Sequence, residues 1–228
     1  EHASCSTAAP GGRRSRTAAR ASGCHTGGVI RCVVFDFGQV LSSPPGLYTD
    51  PARRLGVDPA AYEAAYWVGR TEYDRGGSDA AYWTPLLRSL GRPATPEMVR
   101  ELAALDAAAW VDGVRPAALQ LVRDVRAAGR LVAVCSNAPF SLDLALADAD
   151  YAGEVDYWFV SASMGVTKPD PAVYYRVEEV TEVAPAELAF VDDRPANVHA
   201  AREAGWQAHL FVDDAATRAW LRSLELPL

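Results

Sequence analysis

From Val29 onward, short apolar runs alternate with amphipathic stretches. Val29–Phe35 is apolar and β-branched, bounded by Gly28 and Gly38, the pattern of a strand buried on both faces. Leu131–Cys135, Tyr157–Val160, Leu188–Val191 and Ala208–Val212 repeat it. Helical segments separate them. Arg115–Ala128 carries Leu119, Val122 and Val125 at helical spacing and meets Gly129 as a stop. Pro171–Val183 sets Val173, Val177 and Val180 on one stripe, and Pro195–Ala204 opens on a first-turn Pro and ends at Gly205. Strand and helix alternating in this way predict an α/β fold, a doubly wound parallel sheet.

The stretch 44–111 interrupts that alternation. It has no strand-like run and three helical ones: Pro59–Arg75, Ser78–Leu90 with Ser78 as N-cap, and Pro96–Trp110. An all-helical insert, or cap, is therefore expected over 44–111. The α/β core is then expected from 29–43 and 112–228. Trp67 and Trp83 fall on helical stripes and are expected in the core.

Charge separates off one further segment. Residues 1–28 hold Arg13, Arg14, Arg16 and Arg20 against a single acid, Glu1, so the chain's formal charge of −7 leaves about −10 on the remainder. The segment has almost no large apolar residue to offset its ordering entropy and reads as a disordered tail. Its Cys5, Cys24 and His25 fit no zinc-ligand spacing. An acidic chain excludes a basic nucleic-acid surface, and the absence of an 18-residue apolar run excludes a membrane span. Cys32 and Cys135 lie in apolar runs and read as reduced core residues, which suits a cytoplasmic protein, monomeric or homodimeric.

Four polar clusters fall at the ends of four strands: Asp36-Phe37-Gly38, Ser136-Asn137, Thr167-Lys168-Pro169 and Asp192-Asp193-Arg194. Taken singly, each has a bland reading: a helix cap, a turn, a solvated Lys. Ligands of open α/β sheets bind at the carboxyl ends of the strands, so four clusters on one rim form a site. A strand-end carboxylate can attack phosphorus or carbon. Paired acids opposite it suit Mg2+. A Lys and a Ser with neighbouring N–H groups can hold phosphoryl oxygens.

The segments VVFDFGQVL, VAVCSN, VTKPDPAVY and AFVDDRPANV resemble, in order, the four motifs of the haloacid dehalogenase (HAD) superfamily. The resemblance runs from residue 29 to about 215, with a helical cap between the first two motifs. The nearest branch resembles bacterial sugar-phosphate phosphatases and the phosphatase domain of epoxide hydrolases, and YDRGGSDAAYW resembles cap sequence there. The resemblance implies a Mg2+-dependent phosphatase acting on a small phosphorylated metabolite. Asp36 is then the nucleophile, and Asp36, the Gly38 carbonyl and Asp193 hold the metal, with Asp192 a supporting or alternative ligand. Ser136 and the Asn137 N–H bind the phosphoryl group, and Lys168 bridges Asp36 and phosphate. Asn197 either supports the metal site or is an ordinary helix-surface residue.

One departure matters. Most HAD phosphatases carry a second Asp two residues after the nucleophile, which protonates the leaving oxygen and then activates water. Here that residue is Gly38. Three outcomes follow: a slow enzyme, a cap acid in its place (Tyr48, Asp50, Tyr73 or Asp74), or a phosphate-binding protein without turnover. A metal-free 2-haloacid dehalogenase is disfavoured by the Asp192-Asp193 pair. In the cap, Arg70, Tyr73 and Arg75 are candidate substrate contacts, while most of its aromatics are expected to pack. His199 and His209 have no partner in sequence and are expected to be structural.

Overall fold

The computed structural model describes residues 28–228. The expected tail, with Cys5, Cys24 and His25, lies outside them apart from Gly28. Five strands, β1 (Cys32–Phe35), β2 (Leu131–Ser136), β3 (Tyr157–Val160), β4 (Leu188–Asp192) and β5 (Gln207–Leu210), pair in the order β3-β2-β1-β4-β5. Every pairing is parallel. The expected doubly wound sheet is therefore present.

Strand alternation splits the core in two. Val33 and Phe35 of β1, Val132 and Val134 of β2, and Ala189 and Val191 of β4 point to one face; Cys32, Val34, Ala133, Cys135, Leu188 and Phe190 point to the other. Helix α6 (Pro116–Ala127) covers the first face with Ala118, Leu121, Val122 and Val125; α9 (Pro171–Thr181) and α10 (Pro195–Glu203) cover the second with Val173, Tyr174, Val177, Val198 and Ala201. Cys32 and Cys135 are buried free thiols. Val180 does not share the α9 stripe; it is exposed. The α7 (Phe140–Ala147), α8 (Ser161–Met164) and α11 (Asp214–Ser223) helices complete the α/β part.

Between β1 and α6 lie α1 (Thr49–Leu55), α2 (Pro59–Tyr66), α3 (Arg70–Asp74), α4 (Asp79–Ser89) and α5 (Pro96–Asp112). Ser78 caps α4 by accepting the Ala81 N–H. The single helix expected over Pro59–Arg75 is two, because Gly69 adopts φ +74° between them, a conformation that costs Gly nothing and an L side chain about 1–2 kcal/mol. Trp67 caps α2 one residue past the buried pair Tyr62 and Tyr66, so its ring leaves that face. Trp67 is 47% exposed and Trp83 fully buried, so only one of the two expected core tryptophans is there. The strand ends also move: β1 starts at Cys32 with Val29 exposed, and β5 stops at Leu210 with Val212 exposed. No helix among the described residues is long and apolar enough to cross a membrane.

Topology sets the site's place. The chain runs from β1 to β2 and β3 on one side and returns to β4 and β5 on the other, so the order reverses between β1 and β4, where a crevice opens at the carboxyl ends. Phe35 pairs with both Val134 and Val191, so the next residues along, Asp36, Cys135 and Asp192, emerge side by side. Trp83→Ala should cost about 3–5 kcal/mol in urea unfolding, and Trp67→Ala about 1 kcal/mol or less, since nearly half of that ring is exposed.

Candidate active site

Asp36 leaves β1 with its backbone N–H on the Val191 carbonyl at 2.8 Å. Its Oδ1 accepts from the Phe37 N–H at 2.7 Å and from Lys168 Nζ at 2.8 Å. Oδ2 bonds to no described residue. Burial raises the Asp36 pKa above the ordinary carboxylate range; Lys168 opposes this, and Asp192 and Asp193 add to it.

Lys168 is the only lysine of the chain. Its ammonium is buried and donates to Asp36 Oδ1 (2.8 Å), Asp192 Oδ2 (2.7 Å) and the Cys135 carbonyl (2.6 Å). Burial works against the charge, but Asp36 and Asp192 outweigh it and hold the ammonium protonated. All three donors are spent, so binding a phosphoryl oxygen requires Lys168 to exchange one of these partners.

Asn137 fixes that lysine. Its Oδ1 accepts the Lys168 N–H at 2.8 Å and its Nδ2 donates to the Lys168 carbonyl at 2.9 Å. The sequence pointed to the backbone of Asn137; the side-chain lock was not legible there. Ser136, also buried, lines the same cavity, and its hydroxyl bonds to no described residue, which leaves it available.

Asp192 and Asp193 divide their work. Asp192 is fully buried and saturated: Oδ1 accepts from the Arg194 N–H (2.8 Å) and Asn197 Nδ2 (3.0 Å), Oδ2 from Lys168 and Asn197 Nδ2 (3.0 Å). Asn197 is therefore no surface residue; it is buried and aims Asp192 at Lys168. Asp193 is only half-buried and faces the cavity, with its pKa raised by burial and by Asp192. Ligand atoms of Asp36, Asp192 and Asp193 lie within 4.8 Å of one another. An all-oxygen cluster with uncompensated negative charge fits Mg2+. Saturation of Asp192 leaves Asp36 and Asp193 as the carboxylates open to a metal.

A cavity of about 600 Å³ joins these groups to the cap. Trp110 roofs Gly38, its ring 3.6 Å from where a Cβ would stand. Arg70 lines the cavity but is buried between Asp74 (Nε–Oδ1 2.8 Å) and Asp106 (3.2 Å), with its guanidinium over the Tyr66 ring at 4.8 Å. Tyr66 donates to Asp106 at 2.8 Å and accepts from Trp110 Nε1 at 3.2 Å and from Arg70. Only one sign of this network is legible in the chain, an Asp on the apolar face of α5. Arg75 lines the cavity at its half-exposed edge, paired with Glu72 at 2.7 Å.

Tyr73 is placed elsewhere. Its hydroxyl donates to Asp79 at 2.6 Å and meets Ser141 at 3.1 Å, away from the cavity lining. Asp50 is exposed and paired with Arg53, and Tyr48 does not line the cavity either. His199 is an exposed partner of Glu203, and His209 stacks on Trp220 at 4.9 Å.

The model of the haloacid dehalogenase-like hydrolase family matches residues 30–205. A phosphoglycolate phosphatase of Pseudomonas putida is 28% identical over 193 residues, covering 79% of this chain and 69% of that protein. A sesquiterpene phosphatase of Aspergillus oryzae is 33% identical over 105 residues, 46% of this chain, which spans about half (54%) of that relative's length. Among solved structures, a HAD family enzyme variant from Bacteroides thetaiotaomicron, in complex with magnesium and inorganic phosphate, superposes with a TM-score of 0.62 at 17% identity, covering 79% of this chain and 93% of that one. The L-2-haloacid dehalogenase of Xanthobacter autotrophicus gives 0.64 at 21% identity, covering 87% and 85%.

Asn197→Ala strips Asp192 of two bonds from Nδ2. Hydrogen bonds to charged groups contribute about 1.5–3 kcal/mol, and a loss of that size is expected in urea unfolding of the variant.

Proposed function

The chain belongs to the haloacid dehalogenase-like hydrolases, and we propose that it is a Mg2+-dependent phosphatase that hydrolyses a small phosphorylated metabolite, a sugar phosphate among the candidates. The observation that carries this reading is the buried Asp36–Lys168–Asp192 bridge with Asp193 beside it. The acid pair favours metal and phosphate over metal-free attack on carbon. The phosphatase names of two relatives support the same reading, and a cavity of about 600 Å³ suits a small ligand.

Asp36 attacks phosphorus through the oxygen that bonds to no described residue, so the P–O bond to Asp36 forms as the bond to the leaving oxygen breaks. Water then attacks the aspartyl-phosphate, the P–O bond to Asp36 breaks, and inorganic phosphate leaves. Lys168 holds Asp36 in the attacking orientation and offsets its charge. The Ser136 hydroxyl and the Asn137 N–H bind phosphoryl oxygens. Asp36, Asp193 and the Gly38 carbonyl would hold Mg2+, which when bound neutralises charge on the phosphoryl oxygens.

Purified protein should release p-nitrophenol from p-nitrophenyl phosphate with Mg2+, and EDTA should abolish the release. Asp36→Asn should lower kcat by at least about 10³-fold, the scale of losing a nucleophile. Phosphate binding without release would establish a binding protein instead. Chloride release from 2-chloropropionate in EDTA would establish a dehalogenase.

A further inference from the structure

Resting on that phosphatase reading, we propose that Asp74 of the cap is the proton donor to the leaving oxygen, and then the base for the attacking water, in place of the acid that Gly38 cannot supply. No acid acts from the first strand end, because Gly38 has no side chain.

Besides the arginines, which stay protonated, five titratable side chains line the cavity among the described residues: Asp36, Asp193, Lys168, Tyr66 and Asp74. Four are committed. Asp36 is the nucleophile, and Asp193 faces the metal position. Lys168 spends its three donors on three oxygens. Tyr66 gives its hydroxyl proton to Asp106 and receives two bonds. Asp74 remains.

Asp74 is held as a catalytic acid must be. Oδ1 accepts Arg70 Nε at 2.8 Å, which fixes the carboxyl; Oδ2 bonds to no described residue. Its backbone is tied to the core as well. The Asp74 carbonyl accepts from Ser161 Oγ, and Ser161 Oγ accepts the Ala138 N–H at 2.9 Å. Ala138 follows directly on Ser136-Asn137, so one hydroxyl joins the cap acid to the phosphate-binding turn.

The charge balance brings proton uptake at this carboxyl close to neutral pH. One buried guanidinium, Arg70, serves two carboxylates, Asp74 and Asp106. Burial pushes Asp74 up to about 6; Arg70 and, from the core, Arg194 oppose this, and Asp106 adds to it. A carboxyl in that range can give and take a proton near neutral pH. In the first step the Asp74 proton passes to the leaving oxygen as its bond to phosphorus breaks, and the carboxylate stays on Arg70. In the second, Asp74 takes a proton from the water that attacks phosphorus, and is protonated again.

Leaving-group dependence tests this. p-Nitrophenolate departs without protonation, whereas an alkoxide does not. Asp74→Asn should lower kcat/KM for glycerol 2-phosphate by about 10²-fold or more while changing p-nitrophenyl phosphate by about threefold or less. Adding Gly38→Asp to Asp74→Asn should restore part of the alkyl phosphate activity. That site tolerates a Cβ, because the nearest atoms stand 3.6 Å away and its φ is not left-handed. Equal losses on both substrates would reduce Asp74 to a structural partner of Arg70, and no loss on either would remove it from the reaction; each overturns the proposal. If the variant does not fold, a leaving-group series with the wild-type chain decides. A shallow dependence of kcat/KM on leaving-group pKa is expected, and a steep one overturns the acid role. Retained activity in Asp36→Asn would instead overturn the phosphatase reading itself.

Discussion

A single buried ammonium organises the crevice. Lys168 reaches oxygens that belong to three neighbouring strand ends: Asp36 after β1, Cys135 on β2 and Asp192 on β4. Burying any of these charges alone would cost several kcal/mol; together, with the three lysine donors and both Asp192 oxygens engaged, they compensate one another. The consequence for chemistry is directional. Lys168 occupies one oxygen of Asp36 and so decides which one faces a substrate. Asn137 and Asn197, which contact no nucleophile, act by fixing the lysine backbone and the second carboxylate.

The cap answers with a second network of different character. Arg70 lies within a cage of tyrosines and two acids, a cluster that is polar at its centre and aromatic around it. Stacked and edge-on rings hold the guanidinium by its faces while carboxylates hold its edges. Arg70 is thereby too well neutralised to serve as a free anchor for a second anionic group of a substrate. Arg75 and Arg194, at the mouth of the same cavity, are the less buried cations available.

How much of this could be read from the chain depends on how local each feature is. The sheet, its flanking helices and the four polar strand ends were legible, because a buried parallel strand is a short apolar run and its terminal residue announces itself. Asp36, Ser136 and Asp193 stand at or just past such ends; Lys168 follows β3 only after α8, and its place came from the motif resemblance. The two networks were not legible. Asp106 meets Arg70 across 36 positions, and the Asn137 side chain meets the Lys168 backbone across 31; nothing in the periodicity of either segment reports such a meeting. The orientation of Trp67 failed for a smaller reason: the ring follows Tyr66, the last residue of the buried α2 stripe, by one position and so leaves that face.

The chain carries 22 basic residues, and Lys168 alone among them is a lysine. Wherever a cation meets solvent or pairs with a surface acid, arginine stands there. The primary amine is kept for the one place that needs a compact charge with three donors radiating from a point, which a planar guanidinium cannot imitate. The folded chain therefore presents no side-chain amine to its surroundings. Acetyl transfer, ubiquitin-like conjugation and aldehyde cross-linking, which all begin at an accessible ε-amine, find no lysine on its surface.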